Sequence, residues 1–512
     1  MTAMVTKHLP LVAGAPDGIK KLRALIRDLA VTGRLVPCET GRDAWTWSTL
    51  GQEVAGMDAG WSPACLDAPS PSDDVWGVLR TTAVQPLRYV QDENKELPSK
   101  FAPRSEAEVK AGDVLFTRAG PMNRVGISCL VDSTRPKLML SDKIIRFRPI
   151  AGRLDGRFTA LCLNAGASAR YLESAKSGMA ASQVNISQAK LKATPIPVPP
   201  IVEQHRIVAK VDELMALCDR LEADQADAEA AHAQLVQALL DSLTQATDAA
   251  DFRASWQRLS EHFHTLFTTE ASIDALKQAV LQLAVMGTLV PQLAADLPAQ
   301  DFLKCNKVAA DEHPNLVGWA TAQLGALGSV LGGATPSKAN ASYWIGDIPW
   351  VSPKDMKRPV IDDAEDHVSH AALEGSSLKA IPPRSILMVV RGMILAHSFP
   401  VAVTARMVTI NQDMKALVPP PEIADYLLMF LQASKPAMVA LVDRSSHGTC
   451  KLISEKLWSF KVSLPPLAEQ HRIVAKVDEL MALCDRLKAH LAEARQQHAQ
   501  LATVLVEQAI AA

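Results

Sequence analysis

The chain carries one stretch of nineteen residues twice, without a single substitution. The sequence EQHRIVAKVDELMALCDRL occupies residues 203–221 and recurs at residues 469–487, an offset of 266 positions. Apolar residues in each copy recur at alternating steps of four and three, the heptad spacing of a helix that buries one seam. The seam residues are Ile207, Val211, Leu214, Cys218 and Leu221, and in the second copy Ile473, Val477, Leu480, Cys484 and Leu487. The repeat therefore predicts two matching amphipathic helices.

Both helices are expected to be long. The heptad pattern continues to His232, Leu235 and Leu239 in the first copy and, more strongly, to His498, Leu501 and Leu505 in the second. Each copy follows a double proline, which suits a strand end or a helix start but not a helix interior. Two copies of one surface are self-complementary about a two-fold axis, so we expect the seams to bury each other in an antiparallel pair.

A second repeat lies upstream of each long helix. LAVTGRLVP at residues 29–37 matches LAVMGTLVP at residues 283–291, and each follows an amphipathic helical stretch. Gly33 and Gly287 stand where a left-handed residue would end that helix. Between these anchors the matches are scattered, such as Trp47 with Trp319. The chain is therefore predicted to be a tandem of two units, each with a short helix, a variable module and a long helix.

The repeats suggest the domain boundaries. We assign an N-terminal helical segment, a first variable module, a central long helix, a helical connector with the second copy of the N-terminal segment, a second variable module and a C-terminal long helix. Their ranges are 1–44, 45–200, 201–250, 251–315, 316–466 and 467–512. Constant scaffolds around divergent modules are expected where two modules are mounted alike but contact different things.

Composition excludes several classes of protein. The 512 residues are 48% hydrophobic and 21% charged, an ordinary composition for a multidomain globular chain. The N-terminus lacks the pattern of a signal peptide, and charged residues or proline interrupt the longest apolar stretch, so we expect a cytoplasmic protein with no membrane partner. The eight cysteines form no C-x-x-C pair and are interpreted as small buried apolar residues.

Charge is distributed unevenly along the chain. The net charge is −2, but residues 101–200 carry fifteen Lys and Arg against seven Asp and Glu, and residues 376–461 carry ten against five. Residues 203–246, in contrast, carry three against nine. This alternation favours two surfaces for an anionic partner, joined by an element with another role.

In these features the sequence resembles the specificity subunit of a Type I restriction–modification system. The resemblance rests on the tandem arrangement and on IPVPPIVEQHRIVAKVDEL and VSLPPLAEQHRIVAKVDEL, which end at Leu214 and Leu480. It rests also on LGGATPSKANASYWIGDIPWVSPKDM from Leu331 and GDVLFTRAG from Gly112, which are similar to segments of the family's target recognition domains. The match extends over essentially the whole chain.

The resemblance implies a fold and a set of partners. The fold class would be mixed α/β, with two target recognition domains separated by two long antiparallel coiled-coil helices in a pseudo-two-fold tandem repeat. Each domain would read one half of a split, asymmetric sequence in double-stranded DNA, and the helices would set the unread spacer. The partners would be two methyltransferase subunits, which carry S-adenosylmethionine, and restriction subunits, which use ATP and magnesium. No cofactor is expected on this chain.

Motifs for catalysis are missing from the sequence. An adenine methyltransferase needs an Asn or Asp followed by Pro-Pro and an aromatic residue, and none of the Pro-Pro pairs has these neighbours. GGATPSK at residues 332–338 lacks the spacing of a phosphate-binding loop. No metal-ligand cluster or nucleophile motif occurs, and His205 and His471 are interpreted as exposed or capping residues at the helix starts. We therefore expect a non-catalytic chain with no metal site.

DNA reading requires polar side chains in a groove and Lys or Arg on phosphates. In the first module the candidates lie in the glycine-flanked loop TRAGPMNRVG, on a predicted strand and in the polar segment before the double proline: Arg118, Arg124, Lys143, Arg146, Arg148, Lys176, Ser177, Gln183 and Asn185. In the second module they are Ser337, Lys338, Lys354, Lys357, Arg358, Arg391, Arg444, Ser445, Ser446, His447, Thr449 and Lys451.

Two other functions remain open from the sequence. One is a diverged DNA methyltransferase or nuclease, which would bind S-adenosylmethionine or cut DNA as a purified chain. The other is a coiled-coil scaffold whose modules bind proteins, which would not shift duplex DNA at graded salt. The sequence does not reveal the target bases.

Overall fold

The computed structural model describes residues 10–37, 45–246, 249–444 and 450–511. The chain divides into two compact units. Unit 1 comprises Met1–Glu229 with Glu493–Ala512, and unit 2 comprises Ala230–Ala492. Unit 1 therefore holds the first part of the first long helix and the end of the second, and unit 2 holds the reverse, as expected of an antiparallel pair.

Unit 1 contains a module rich in short strands. Its helices are α1 Gly18–Val31, α2 Gly156–Leu163, α3 Gly166–Ala175, α4 Gln188–Lys192 and the start of α5 Ile201–Thr244. Its strands are β1 Thr46–Thr49, β2 Val54–Ala59, β3 Gly77–Leu79, β4 Val84–Gln85, β5 Arg88–Tyr89, β6 Asn94–Glu96, β7 Val114–Thr117, β8 Ala119–Gly120, β9 Ser128–Leu130, β10 Leu138–Met139, β11 Ile144–Pro149, β12 Ser177–Ala180, β13 Gln183–Asn185 and β14 Pro195–Val198.

The central sheet of unit 1 has the order β2-β11-β7-β9, and all of its neighbouring strands are antiparallel. Smaller sheets have the orders β10-β3-β6 and β12-β13-β8. Strands β1 and β14 pair antiparallel, Thr46 opposite Val198, and so bring the first and last strands of the module together. The module therefore begins and ends beside the start of α5.

Unit 2 repeats this organisation. Its helices are α6 Ala249–Glu261, α7 Phe263–Leu266, α8 Glu270–Val285, α9 Ala299–Cys305, α10 His370–Gly375, α11 Ala424–Ala433, α12 Lys435–Ala440, α13 Ser454–Trp458 and the first part of α14 Leu467–Ala511. Its strands are β15 Ala310–Glu312, β16 Ala320–Gln323, β17 Ser329–Gly332, β18 Ile348–Val351, β19 Val360–Ile361, β20 Asp366–Val368, β21 Ile386–Val389, β22 Val401–Thr404, β23 Thr409–Ile410, β24 Met414–Val418, β25 Val442–Arg444, β26 Cys450–Leu452 and β27 Lys461–Leu464.

The main sheets of the two modules correspond. The sheet β17-β24-β21-β22-β19 matches β2-β11-β7-β9 with one added edge strand, and β23-β18-β20 matches β10-β3-β6. In both small sheets the first pair is parallel and the second is antiparallel. The described residues therefore confirm a mixed α/β fold built as a tandem repeat.

The predicted long helices are confirmed. Helix α5 has 44 residues and α14 has 45, with the repeated stretch near the start of each. All ten seam residues are buried or half-buried. In unit 1 the first four share a core with α1, with the module and with Ala502 and Ala509 of α14. The seam thus anchors a module and a short helix as well as a helix partner.

The predicted seam shifts by one residue beyond the histidines. In α5 the buried residues are Val236, Leu240 and Leu243 rather than Leu235, which is exposed. In α14 the residue equivalent to Val236 is Ala502, which is buried, whereas Leu501 is exposed. An α-helix has 3.6 residues per turn, so a strict seven-residue pattern drifts off the buried face over a long helix.

The segments that precede the short helices α1 and α8 meet the long helices through matching contacts. The His498 ring nitrogen lies 2.7 Å from the carbonyl oxygen of Leu11, and that of His232 lies 3.2 Å from the carbonyl oxygen of Thr265. These positions are related by the same offsets as the two repeats. Gly33 follows α1 with φ of +68°, as the cap prediction required. Both histidines thus hold a backbone segment in place.

The tryptophan assignment was wrong. Trp45, not Trp47, is the counterpart of Trp319, because each packs its ring against the glycine that follows the short helix. Trp47 follows Thr46 on β1, and its side chain is 60% exposed. Successive side chains of a strand point to opposite faces, so a shift of two residues along an extended segment is hard to detect from sequence.

Candidate nucleic-acid interface

The candidate interface is a corner where a hairpin pairs with a short strand that directly follows a strand of the central sheet. In unit 1, β12 and β13 form the hairpin, and β13 also pairs with β8. The register places Asn185 opposite Ser177 on one side and opposite Ala119 on the other. The Ile186 N–H donates to the carbonyl of Arg118 at 2.8 Å and closes the corner. We call Ala119, Asn185 and Ser177 row 1.

Unit 2 has the same corner. Strands β25 and β26 form its hairpin, with Asp443 opposite Lys451, and Lys451 also pairs with Arg391. The Leu452 N–H donates to the carbonyl of Val390 at 2.9 Å, as Ile186 does in unit 1. We call Arg391, Lys451 and Asp443 row 2. Row 2 has the register of row 1 but different side chains.

The hairpins keep the spacing of the long helices. Ser177 and Asp443 differ by 266 positions, as do Asn185 and Lys451 and the two copies of the repeated stretch. No net insertion therefore separates each hairpin from its helix. This constant offset is a signal that sequence reasoning could have used to match the two hairpins.

A glycine turns the chain at each corner. Gly120 has φ of +142° and Gly392 has φ of +134°, a backbone conformation that favours glycine. Short 3-10 turns follow at Met122–Arg124 and Met393–Ala396. They expose apolar side chains beside the hairpins, and Met393 is 65% exposed. These methionines were missed as candidates, although the glycine-flanked loop marked their position.

Many first-module candidates meet at this corner. The Arg118 N–H donates to the carbonyl of Lys143 at 2.9 Å, and Lys176 Nζ donates to the carbonyl of Met122 at 3.0 Å. Lys143 lies in the turn before β11 rather than on the strand as predicted. Together the corner gathers candidates from three separate segments: Arg118, Lys143, Lys176, Ser177, Gln183 and Asn185.

Arg124 lies at the corner, but its guanidinium bonds to other residues of the module. Its Nη2 donates to the carbonyls of Thr81 and Val84, both at 2.8 Å, and its Nη1 donates to Gln85 Oε1 at 3.2 Å. The guanidinium thus ties the 3-10 turn to β4 and to the residues just before it. In this arrangement Arg124 stabilises the 3-10 turn of the corner, and its guanidinium is already engaged by the protein.

Arg146 and Arg148 lie on β11, away from the hairpin. Both contact Asp113, whose carboxylate is buried, at 3.6 Å and 2.8 Å. Arg146 also pairs with Asp58 at 3.1 Å and donates to the carbonyl of Glu108 at 2.7 Å. A buried carboxylate needs such partners, so these arginines stabilise one face of the central sheet.

Second-module candidates separate into two groups. Arg391, Arg444 and Lys451 lie at the corner, where Arg444 Nη2 donates to the carbonyl of Ala396 at 3.3 Å. Four further candidates, Ser445, Ser446, His447 and Thr449, lie outside the described residues.

The remaining candidates lie on loops around β18: Ser337, Lys338, Lys354, Lys357 and Arg358. Lys354 pairs with Glu365 at 3.2 Å and with Asp366 at 3.3 Å, and these hydrogen bonds raise the pKa of Lys354. Arg358 pairs with Asp362 at 3.0 Å. Lys338 and Lys357 are exposed and have no side-chain partner among the residues described. They are the free cations of this second group.

The repeated stretches expose the same face in both units. Side chains at equivalent positions are exposed along one stripe of each helix: His205, Ala209, Glu213, Ala216 and Arg220 on α5, and His471, Ala475, Glu479, Ala482 and Arg486 on α14. Lys210 pairs with Glu213 at 2.8 Å, and Lys476 pairs with Glu479 at 2.9 Å. We call these two sets the outer stripes.

A tryptophan ties each module to the first turn of its long helix. Trp45 Nε1 donates to Glu203 Oε1 at 3.2 Å, and Trp319 Nε1 donates to both carboxylate oxygens of Glu469, at 3.3 and 3.2 Å. Glu469 is 1% exposed, and this burial raises its pKa to about 7. These contacts fix the angle at which each module leaves its helix.

Comparison with known proteins decides the family. The model described as Type I restriction modification DNA specificity domain matches residues 94–230 and 316–494, more than half of the chain. The chain belongs to this family. Its members recognise DNA as the specificity subunits of Type I restriction–modification complexes, in which they assemble with other subunits.

Individual relatives agree with this assignment. The specificity subunit of the Escherichia coli enzyme EcoAI is 28% identical over 569 aligned positions, which cover 96% of this chain and 94% of the relative. That of E. coli EcoEI is 50% identical over 198 residues, 39% of this chain and 33% of the relative. A solved structure from a study of complex assembly and conformational transition of the type I R-M system is 20% identical, has a TM-score of 0.53 and covers 93% of this chain and 99% of its own. It supports the fold.

In the part of the chain that the structure describes, no helix is both long and apolar enough to cross a membrane.

Proposed function

We propose that each unit reads one half of a split DNA sequence and that the corner carries the reading residues. The observation behind this proposal is the pair of rows. Two hairpins keep the same register, the same glycine and the same offset to the long helix, yet present Ala-Asn-Ser in one unit and Arg-Lys-Asp in the other. A constant mount with a variable row is what two reading heads for different bases require.

The outer stripes would dock the methyltransferase subunits. The stripes have identical sequences and the same exposure in both units, so they offer two equivalent sites for two copies of one partner. Their alanines leave room for close approach, and the flanking charges would fix the register. Restriction subunits would join the same complex.

The chain would contribute no catalysis. The sequence lacks the motif with which an adenine methyltransferase holds its base, and the described residues contain no group of His, Cys, Asp and Glu that could hold a metal ion. Modification would depend on S-adenosylmethionine bound by the methyltransferase partner, and cleavage on ATP and magnesium bound by the restriction subunits. The complex would work in the cytoplasm, where it meets DNA.

A module exchange tests this function. Residues from Trp45 to Pro195 are replaced by the corresponding module of another specificity subunit, and methylated sites are mapped in cells that express the chain with a methyltransferase subunit. One half of the methylated sequence should change, while the other half and the spacer stay constant. The incoming β1 must pair with the part of β14 that remains, residues 196–198, for the module to keep its mount.

The reciprocal exchange in unit 2 serves as the control and should alter the other half alone. If either exchange changed both halves together, the two-module proposal would be wrong. Purified chain that methylates or cuts DNA without partners would instead favour the enzyme alternative.

A further inference from the structure

The two rows differ in the chemistry that they present to a base pair. Row 1 is neutral: Asn185 and Ser177 are exposed, and their side chains lie 3.4 Å apart, Ser177 Oγ from Asn185 Oδ1. Row 2 is cationic, because two of its three residues are Arg391 and Lys451. The charge of the third, Asp443, is offset by Lys456, which pairs with it at 2.9 Å. Arg391 and Lys451 are exposed and have no side-chain partner among the residues described. Both rows therefore have side chains available for a ligand.

The shape of the hairpin suits the major groove of DNA. Neighbouring strands lie about 4.8 Å apart, so a row of three strands spans about 10 Å. The major groove is about 12 Å wide and admits a two-stranded β-ribbon such as the hairpin, with the third strand of the row at its edge. Successive base pairs are stacked about 3.4 Å apart, so one row would contact two or three of them.

The chemistry of base edges distinguishes the rows. The amide of Asn pairs in bidentate fashion with adenine, which offers one acceptor and one donor, N7 and N6. Arg and Lys pair with guanine, which offers two acceptors, N7 and O6. Asn185 fits the first pattern and is flanked by the hydroxyl of Ser177. Arg391 and Lys451 fit the second pattern.

We propose that row 1, through Asn185, selects an A·T pair in one half of the target, and that row 2, through Arg391 and Lys451, selects a G·C pair in the other half. This inference rests on the proposed function, since it requires that each unit read one half. It adds which positions read and which base each reads. The apolar side chains of Met122 and Met393 would border these contacts.

Site-directed variants of the full chain in complex with a methyltransferase subunit test the inference. The variants are N185K, which gives row 1 the residue of row 2, and K451N, which does the reverse. Methylated sites are mapped in cells, and binding to duplexes with single base changes is measured at two salt concentrations. N185K should lose its preference for adenine at one position of the first half, by about 5-fold to 150-fold. K451N should lose its preference for guanine at one position of the second half by a similar factor.

Each variant is the control for the other, because each should leave the opposite half unchanged. K379N, at an exposed lysine of unit 2 away from the corner, should leave both halves unchanged. A melting curve and the amount of bound methyltransferase show whether each variant is folded. N185A, which removes the amide without adding charge, should also relax the adenine position.

Two results would overturn this inference and leave the proposed function intact. One is a split target in the wild type that none of the row variants alters. The other is K451N binding that weakens equally on all sequences with a reduced salt dependence, which is the behaviour of a phosphate contact. A wild-type complex that methylates no split sequence would refute the proposed function and this inference with it.

Discussion

Lys488 of α14 donates a hydrogen bond to Asp274 of α8 at 2.6 Å, at the first position where the repeated stretches cease to be identical. The equivalent position on α5 is Glu222, which accepts from Arg23 of α1 at 2.8 Å. The equivalent of Asp274 on α1 is Lys20. The charges of this pair of positions are therefore reversed between the units. Since the preceding nineteen residues are identical, this reversal distinguishes the two docking sites for a short helix.

Reversing one charge should destabilise unit 2. K488E places a carboxylate beside Asp274 and should lower the free energy of unfolding by about 0.5–1 kcal/mol, since the pair is partly exposed. D274K in the same chain should restore most of the loss, because it recreates the charges that unit 1 has at these two positions, Lys20 and Glu222. Urea unfolding of the single and double variants measures the coupling.

The matched control lies in unit 1. E222K should cost less, because Arg23 keeps its ion pair with Asp219 at 2.6 Å. If the double variant K488E/D274K were as unstable as K488E alone, the two side chains would not be coupled and the reversal would have no role in pairing.

The scaffold of this protein was predictable because its signals are local or repeated. The seam at Ile207 and the glycine cap at Gly33 follow from spacing within one helix. The later seam failed at Leu235 because the heptad template ignores helical drift. The seam and the cap were thus predicted to within one residue, whereas the end of α5 lies at Thr244, before the assigned boundary at 250.

The site was predicted as a set but not residue by residue. The contact of Arg146 with Asp113, and the pairing of Ala119 with Asn185, join segments 33 and 66 positions apart in the sequence. Such pairings depend on strand register, which a single sequence does not specify. Sequence reasoning therefore could not separate arginines that hold the sheet from side chains that remain free at the corner.

Burial of Glu469 should make the stability of unit 2 depend on pH. Its pKa is raised from 4.5 to about 7, so the folded state disfavours the charged carboxylate. The free energy of unfolding should fall, by at most about 3 kcal/mol, as pH rises from 4.5 to 7, and then stay level. E469Q should flatten this dependence, because its amide does not titrate. Thermal unfolding between pH 4 and 8 measures the difference between wild type and variant.

The equivalent change in unit 1 is the comparison for this experiment. E203Q removes the carboxylate that accepts from Trp45, so it tests whether the effect follows from the loss of any carboxylate at a helix start. An unfolding profile of E469Q that parallels the wild type at every pH would contradict the assignment to Glu469.

The outer stripes should determine how many methyltransferase subunits bind. A209E and A475E each place a charge at the same exposed position of one stripe. Either change alone should leave one bound methyltransferase per chain, and the double variant should leave none, with affinity reduced about 10-fold or more per site. Mass measurement of the purified complex gives the stoichiometry.

Asp212 would be a poor position for this test, because it pairs with Arg157 of its own module at 2.6 Å. The control variants are A226E and A492E. Ala226 and Ala492 are exposed and occupy equivalent positions. Each lies more than a quarter turn around the helix from the alanine changed in the test, Ala209 or Ala475. If they reduced assembly as strongly as A209E and A475E, the docking surface would have to be assigned elsewhere on the helices.

The length of α5 and α14 should set the spacer between the two half-sites. Residues 222–230 are exposed throughout, so an insertion there disturbs few packed side chains. Four residues inserted after Ala223 lengthen α5 by about 6 Å and rotate the remainder of the helix by about 40° beyond a full turn. A matched insertion after Ala489 keeps the equivalent positions of the two helices in step.

Because one base pair advances about 3.4 Å along the duplex, the half-sites should move apart by one or two base pairs. Methylation mapping should therefore find both half-sites unchanged in sequence, with a longer spacer between them. The variant with a single insertion is the control, and it should lose activity because the buried positions of α5 and α14 fall out of register. An active double-insertion variant with an unaltered spacer would show that some other connection sets the distance between the half-sites.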